Sequence, residues 1–148
     1  MDVTFFYQNN NHSYKREIII TRLTEAISKI IELPDSIEVC LYDLGPGVYG
    51  GIDKTKVNRI GINYSLRYEE IPQILTHELI HVNQKHRKML EIKPDFYYWL
   101  GVPYNAHKNP EDLPYKDYIN LPWEIDVQIR QTKVLQMALE SLVQKNNT

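Results

Sequence analysis

Cysteine is nearly missing from this chain. Cys40 is the single one in 148 residues, so no internal disulfide can form, and its place in an alternating apolar run reads as a small core residue rather than a nucleophile. No stretch approaches the roughly 18 consecutive apolar residues that a membrane-spanning helix needs. The opening residues, Met1-Asp-Val-Thr-Phe-Phe-Tyr7, lack a basic leader and carry too short an apolar run for a secretory signal. These absences lead to the expectation of a cytoplasmic protein without a membrane span, leaving open secretion by a route that uses no cleaved signal. Charge of one sign is lacking too: the net charge is −2 and the pI about 6.2, which gives no electrostatic case for nucleic acid. Internal repeats, low-complexity tracts and linkers are likewise missing, and with 43% apolar residues the expectation is one domain over residues 1–148. Tyrosine, by contrast, is plentiful at eleven, and most of these rings are expected half-buried with a wet hydroxyl.

Periodicity then places the elements. Ile19, Leu23, Ile27, Ile30 and Ile31 predict a helix over 16–33, which Pro34 ends. Ile37, Val39 and Leu41 alternate with other residues and predict a strand over 36–44. Gly45-Pro46-Gly47 reads as a turn. Short strands follow at 48–52, where Gly50 and Gly51 suggest a bulge or a close backbone approach, and at 59–64. A helix is predicted over 69–87, with Pro72 tolerable only in its first turn. The stretch 94–118, rich in Tyr, Trp and Pro, reads as a short helix and a structured loop. A last helix is predicted from Pro122 to 144. Strands set apart from the later helices make the expected class α+β, with a small mixed or antiparallel sheet.

The chemistry is concentrated in Ile74-Leu-Thr-His-Glu-Leu-Ile-His-Val82. Residues four apart on a helix lie nearly one above the other, so His77 and His81 can turn both imidazoles to one ion. Glu78 is rotated by about 100° from His77 and can reach a water on that ion without occupying a coordination position. Ile71, Leu75, Leu79 and Val82 form an apolar stripe on another face. Four aliphatics around two histidines and a carboxylate point to a buried helix that lines a cleft.

Zinc in such a site takes a third protein ligand and keeps a fourth position open. His86 lies on a different face of the same helix, and Gln84 and Arg87 stand where a short extended motif would have Gly and His. The best candidate is Glu124 in Leu121-Pro-Trp-Glu-Ile-Asp-Val-Gln128, because Pro122 marks a helix start and a carboxylate in that first turn can reach across. The same carboxylate could instead merely complement the helix dipole. Asp126 faces elsewhere if the segment is helical, and His107 sits in a loop-like stretch.

His77-Glu78-Leu79-Ile80-His81 followed by Trp123-Glu124-Ile125-Asp126 resembles the zincin metallopeptidases whose third ligand is glutamate, the gluzincins. It is particularly similar to small single-domain members, including those carried by bacteria and phages, and the resemblance covers residues 37–131. It implies one zinc ion per chain on His77, His81 and Glu124, Glu78 as general base, and a peptide or protein as substrate. It also implies that residues 47–52 or 59–64 form the edge strand beside the cleft, where an extended peptide would lie. The glycines there equally suit a plain bulge. One position departs from the family pattern: many gluzincins bond a zinc-bound His with an Asp four residues after the glutamate, and here that position is Gln128. Asp126 or Asp53 are the possible substitutes. Family members add a Tyr or His for the oxyanion, for which His107, Tyr115 and Tyr118 are available and the sequence selects none. The alternative function is a zinc-containing binding or structural module that has lost peptidase activity; zinc acting on a non-peptide substrate is a third reading.

Overall fold

The computed structural model describes residues 1–8, 12–43, 48–94, 96–104 and 110–146, the side chains of Ile52, Glu111 and Asn146 aside. Its class is mixed α+β. The chain opens on a strand that the sequence had not announced, β1 (Asp2–Tyr7), followed by α1 (Tyr14–Ser28) and β2 (Ser36–Tyr42). β3 (Gly50–Ile52) and β4 (Arg59–Asn63) complete a four-stranded sheet of order β1-β2-β4-β3. β1 and β4 flank β2 in parallel, and β3 runs antiparallel to β4, so the sheet is mixed. The terminal position of β3 decides between the two expected edge segments: 59–64 is an inner strand, and Gly50–Ile52 is the edge.

Alternation within β2 and β4 turns Ile37, Val39, Leu41, Ile60 and Ile62 to one core, where they meet Ile20, Leu23 and Ile27 of α1. α1 begins at Tyr14 because the Ser13 hydroxyl accepts the Arg16 amide, and it ends at Ser28, well before Pro34. Lys29 and Ile30 close it with tight bonds to Ala26 and Ile27 carbonyls. Ile30, Ile31 and Leu33 still pack on the core, which is why the apolar spacing outruns the helix.

A single 3-10 turn (Tyr68–Glu70) leads into α2 (Ile71–His86), whose first turn accommodates Pro72 without loss of a helical bond. Ile71, Leu75, Leu79 and Val82 are all essentially inaccessible, as the stripe required. α4 (Pro122–Asn146) crosses α2 and adds Val134 and Ala138 to the same core.

The segment between them differs from expectation. Leu90–Lys93, Phe96–Trp99 and Val102–Tyr104 form an antiparallel ribbon, β5-β6-β7, where only a short helix and a loop were expected over 94–118. Leu100 (φ 51°) and Gly101 (φ 83°) make the tight turn between β6 and β7. Only one turn of helix, α3 (Tyr115–Tyr118), follows a second 3-10 turn. Trp123 anchors this region, stacked on Tyr97 and meeting Tyr104 edge-on, with Leu90 and Leu121 buried beside it. The Gly45-Pro46-Gly47 turn falls outside the described residues. Among the described residues, no helix is long and apolar enough to cross a membrane.

Candidate metal centre

Two neighbouring helices bring the candidate ligands together. His77 and His81 stand one above the other on α2 with ring centroids 5.0 Å apart. Glu124, in the first turn of α4, points a buried carboxylate between them: Oε2 lies 3.3 Å from His77 Nε2 and Oε1 lies 3.0 Å from His81 Nε2. His81 Nε2 is buried and makes no hydrogen bond despite that proximity. Two imidazole nitrogens and a carboxylate gathered this closely form the kind of donor set expected of ligands to one cation. Among the described residues, these three are the group of His, Cys, Asp or Glu side chains close enough to hold a metal ion together.

Each imidazole is oriented through its other nitrogen. His77 Nδ1 lies 3.0 Å from Gln131 Oε1, and His81 Nδ1 lies 2.8 Å from Gln84 Oε1. Neither glutamine was assigned a role from the sequence. The signals were present: Gln84 is one turn beyond His81 on the same helix, and Gln131 lies two turns beyond Glu124. Gln128, at the family's Asp position, takes no part and donates to the Ile119 carbonyl. Asp126 contacts neither ring; its Oδ2 accepts from Gln84 and Arg130. Asp53 serves its own turn, accepting from Thr55 and Lys56. His86 reaches Glu32, at 3.7 Å, away from the centre.

The electrostatics prepare the site for a cation. Burial alone would raise the Glu124 carboxyl, but the His77 and His81 imidazoles reverse this and hold it far below the ordinary carboxylate range. Burial works against a charge on His77, yet Glu124 and Glu78 outweigh it and raise that pKa. Glu78 moves upward, chiefly because it is fully enclosed, with the two imidazoles pulling the other way. Its Oε2 has no hydrogen-bond partner. A buried carboxylate oxygen left unpartnered is costly, so its retention beside three ligands calls for a chemical reason.

Glu78 also lies against the edge strand at Gly50. A Cβ on Gly50 would stand 2.9 Å from the Gly61 carbonyl oxygen and 3.2 Å from Glu78 Cγ and Oε1. Gly50 is thus glycine because a Cβ would collide first with the neighbouring strand's backbone and then with the Glu78 side chain. Gly50→Ala is expected to destabilise the protein by about 1–3 kcal/mol through overpacking. Gly51→Ala is the matched control, since a Cβ there meets nothing within 4 Å. Equal midpoints for the two variants in urea unfolding would refute the close approach. Farther along α2, the buried Lys85 ammonium donates to the Asp53 and Lys56 carbonyls, tying the β3–β4 connection to the helix. Burial brings its pKa down to about 8.

A cleft of about 480 Å³ opens over His77, Glu78 and Gly50, walled by Ile74, Leu113, Tyr115 and Tyr118. The Tyr118 hydroxyl donates to Glu124 Oε1 at 2.9 Å, while Tyr115 is largely exposed at the rim. His107 falls outside the described residues. A larger groove, about 610 Å³, runs along α4 past Leu135, Leu139 and Val143. Its single charged lining residue is Glu140, so it has no constellation of reactive groups and the smaller cleft is the better candidate for chemistry. Compared with protein-family models, curated proteins and solved structures, the chain matches none.

Proposed function

We propose that this protein is a zinc-dependent peptidase in which His77, His81 and Glu124 hold the ion and Glu78 is the general base. The observation that carries this is the convergence of three donor atoms, from buried His81 and Glu124 and half-buried His77, beside a fourth, unpartnered carboxylate oxygen on the floor of an open cleft. The donor set favours zinc, which takes imidazole nitrogen and carboxylate oxygen at about 2.0–2.2 Å. Two ligands at such distances on a tetrahedron stand about 3.3 Å apart. The separations of 3.0 and 3.3 Å, each to a different oxygen of Glu124, are of that size.

When bound, zinc would supply a water whose pKa falls toward about 7 and would polarise the substrate carbonyl. The chain's own residues do the rest. Glu78 takes one proton from the attacking water as its oxygen adds to the peptide carbonyl carbon. It then delivers that proton to the amine nitrogen as the carbon–nitrogen bond breaks. Enclosure of Glu78 raises its affinity for the proton in transit, which suits a group that must both accept and release it. Tyr118 keeps the Glu124 carboxylate in place from the cleft side. β3, as the terminal strand, offers backbone groups beside which an extended peptide can lie.

A module that uses metal only structurally would have no use for Glu78, and it would saturate the ion with a fourth protein ligand. Purified protein is expected to contain about one zinc per chain and to cleave unfolded protein or a peptide library. Chelation should stop cleavage and added zinc should restore it. Stoichiometric zinc with no cleavage of any peptide would support the binding module instead.

A further inference from the structure

Resting on the assignment of His77, His81 and Glu124 as metal ligands, we infer that Gln84 and Asp126 are positioning residues that hold His81 in the one tautomer able to bind the ion. The Gln84 side chain is inaccessible to solvent. Its amide nitrogen donates to the Trp123 carbonyl at 2.9 Å and to Asp126 Oδ2 at 2.9 Å. Both partners only accept, so both amide hydrogens are committed and the amide cannot turn over. The carbonyl oxygen is left facing His81 Nδ1 at 2.8 Å. An oxygen at that nitrogen requires a proton on it, so in the neutral ring the lone pair falls on Nε2, the atom aimed at Glu124 and at the ion.

Asp126 is itself anchored. Its Oδ2 accepts from Arg130 Nη2 at 2.7 Å and Nε at 3.2 Å. Arg130 Nη1 donates to Asn83 Oδ1, and Asn83 donates onward to the Glu32 carbonyl. A continuous series of hydrogen bonds thus runs from the loop after α1, through α4, to the imidazole on α2. The amide has a consequence that a direct carboxylate would not have. It fixes the ring without placing a negative charge on it, so the imidazole gains orientation and little added basicity. His77 is served by a looser version, since the Gln131 amide is oriented by the Gln73 carbonyl alone.

The first test reads histidine tautomers by NMR in metal-free, 15N-labelled protein. His81 is expected to carry a proton on Nδ1, facing the Gln84 oxygen; an unprotonated Nδ1 overturns the inference whatever the enzymatic activity. The second test measures Zn2+ affinity by competition with a chromophoric chelator, with circular dichroism to verify folding. Gln84→Met should weaken zinc binding about 10–100-fold, the usual effect of losing an outer partner. Asp126→Ala should weaken it less, Asp126→Asn least, because Asn keeps an acceptor for the Gln84 amide. In the Gln84→Met background, Asp126→Ala should cause no further loss. An equal loss in both backgrounds would show that Asp126 does not act through Gln84 and would overturn the relay. Should Gln84→Met fail to fold, the ranking of Asp126→Ala below Asp126→Asn decides, and its reversal counts against the relay. Wild-type protein that binds no zinc would defeat the metal assignment, while the tautomer reading would still judge the orientation of Gln84.

Discussion

Glu78→Gln is expected to lower peptide hydrolysis by about 10²–10⁴-fold, the usual contribution of a positioned general base. Zinc content should remain that of the unaltered chain. The amide keeps the shape of the side chain, and none of the three ligand atoms belongs to it, so binding and chemistry separate cleanly. Stability should move in the opposite direction to activity. In the metal-free chain Glu78 has a folded pKa above the ordinary 4.5. It therefore binds its proton more tightly folded than unfolded. Its contribution is present at low pH and is lost as pH rises through the raised value. Above that raised value the ionised, enclosed carboxylate is a liability, and there its replacement by the neutral amide should stabilise metal-free protein by on the order of 1 kcal/mol. Single-turnover assays and urea unfolding of the same variant measure the two effects. Undiminished turnover would remove Glu78 from the reaction.

Glu124→Ala is expected to reduce zinc affinity by more than the roughly 10–100-fold that follows loss of an outer partner. The same replacement at Asp126, which touches no ligand atom of the centre, should cost far less. Protons and the ion compete for this site. Glu124 is held well below the ordinary carboxylate range, while His77 is raised. Acidification should accordingly release the ion by protonating His77 before it neutralises Glu124. For the metal-free fold the sign for Glu124 is opposite to that for Glu78. Its folded pKa is depressed, so its contribution is present above the ordinary carboxylate value and disappears as pH falls towards the depressed one. Isothermal titration with zinc across a pH series, for the wild-type chain and both variants, reads the ranking. A larger loss in Asp126→Ala than in Glu124→Ala would move the third ligand.

The candidate centre was legible where its determinants are local. The spacing of His77 and His81 within one turn, the flanking aliphatics and the helix start at Pro122 all act over a few residues. The partners of the imidazoles were not legible, because Gln131 meets His77 only after α4 has crossed α2. Gln84 was closer at hand, yet a glutamine in the polar run Asn83-Gln84-Lys85-His86 carries no chemical signature until its burial is known. The fold divides in the same way. Ile37, Val39 and Leu41 announce β2 by alternation, and the stripe on α2 announces that helix. β1 stayed hidden because Phe5 and Phe6 break the alternation, so its half-buried pattern becomes visible only against β2. The β5–β7 ribbon stayed hidden for another reason. Its turn is Leu100-Gly101 rather than Asn-Gly, and Phe96 to Trp99 are aromatic on both faces.

Trp123 gives that ribbon a larger part than its position at the periphery suggests. The indole lies one residue before Glu124 and is clasped by Tyr97 and Tyr104. The meander is therefore a splint on the turn that carries the acid. Grafting a foreign hairpin in its place would preserve the acid's register only if the graft offered the indole an equivalent clasp.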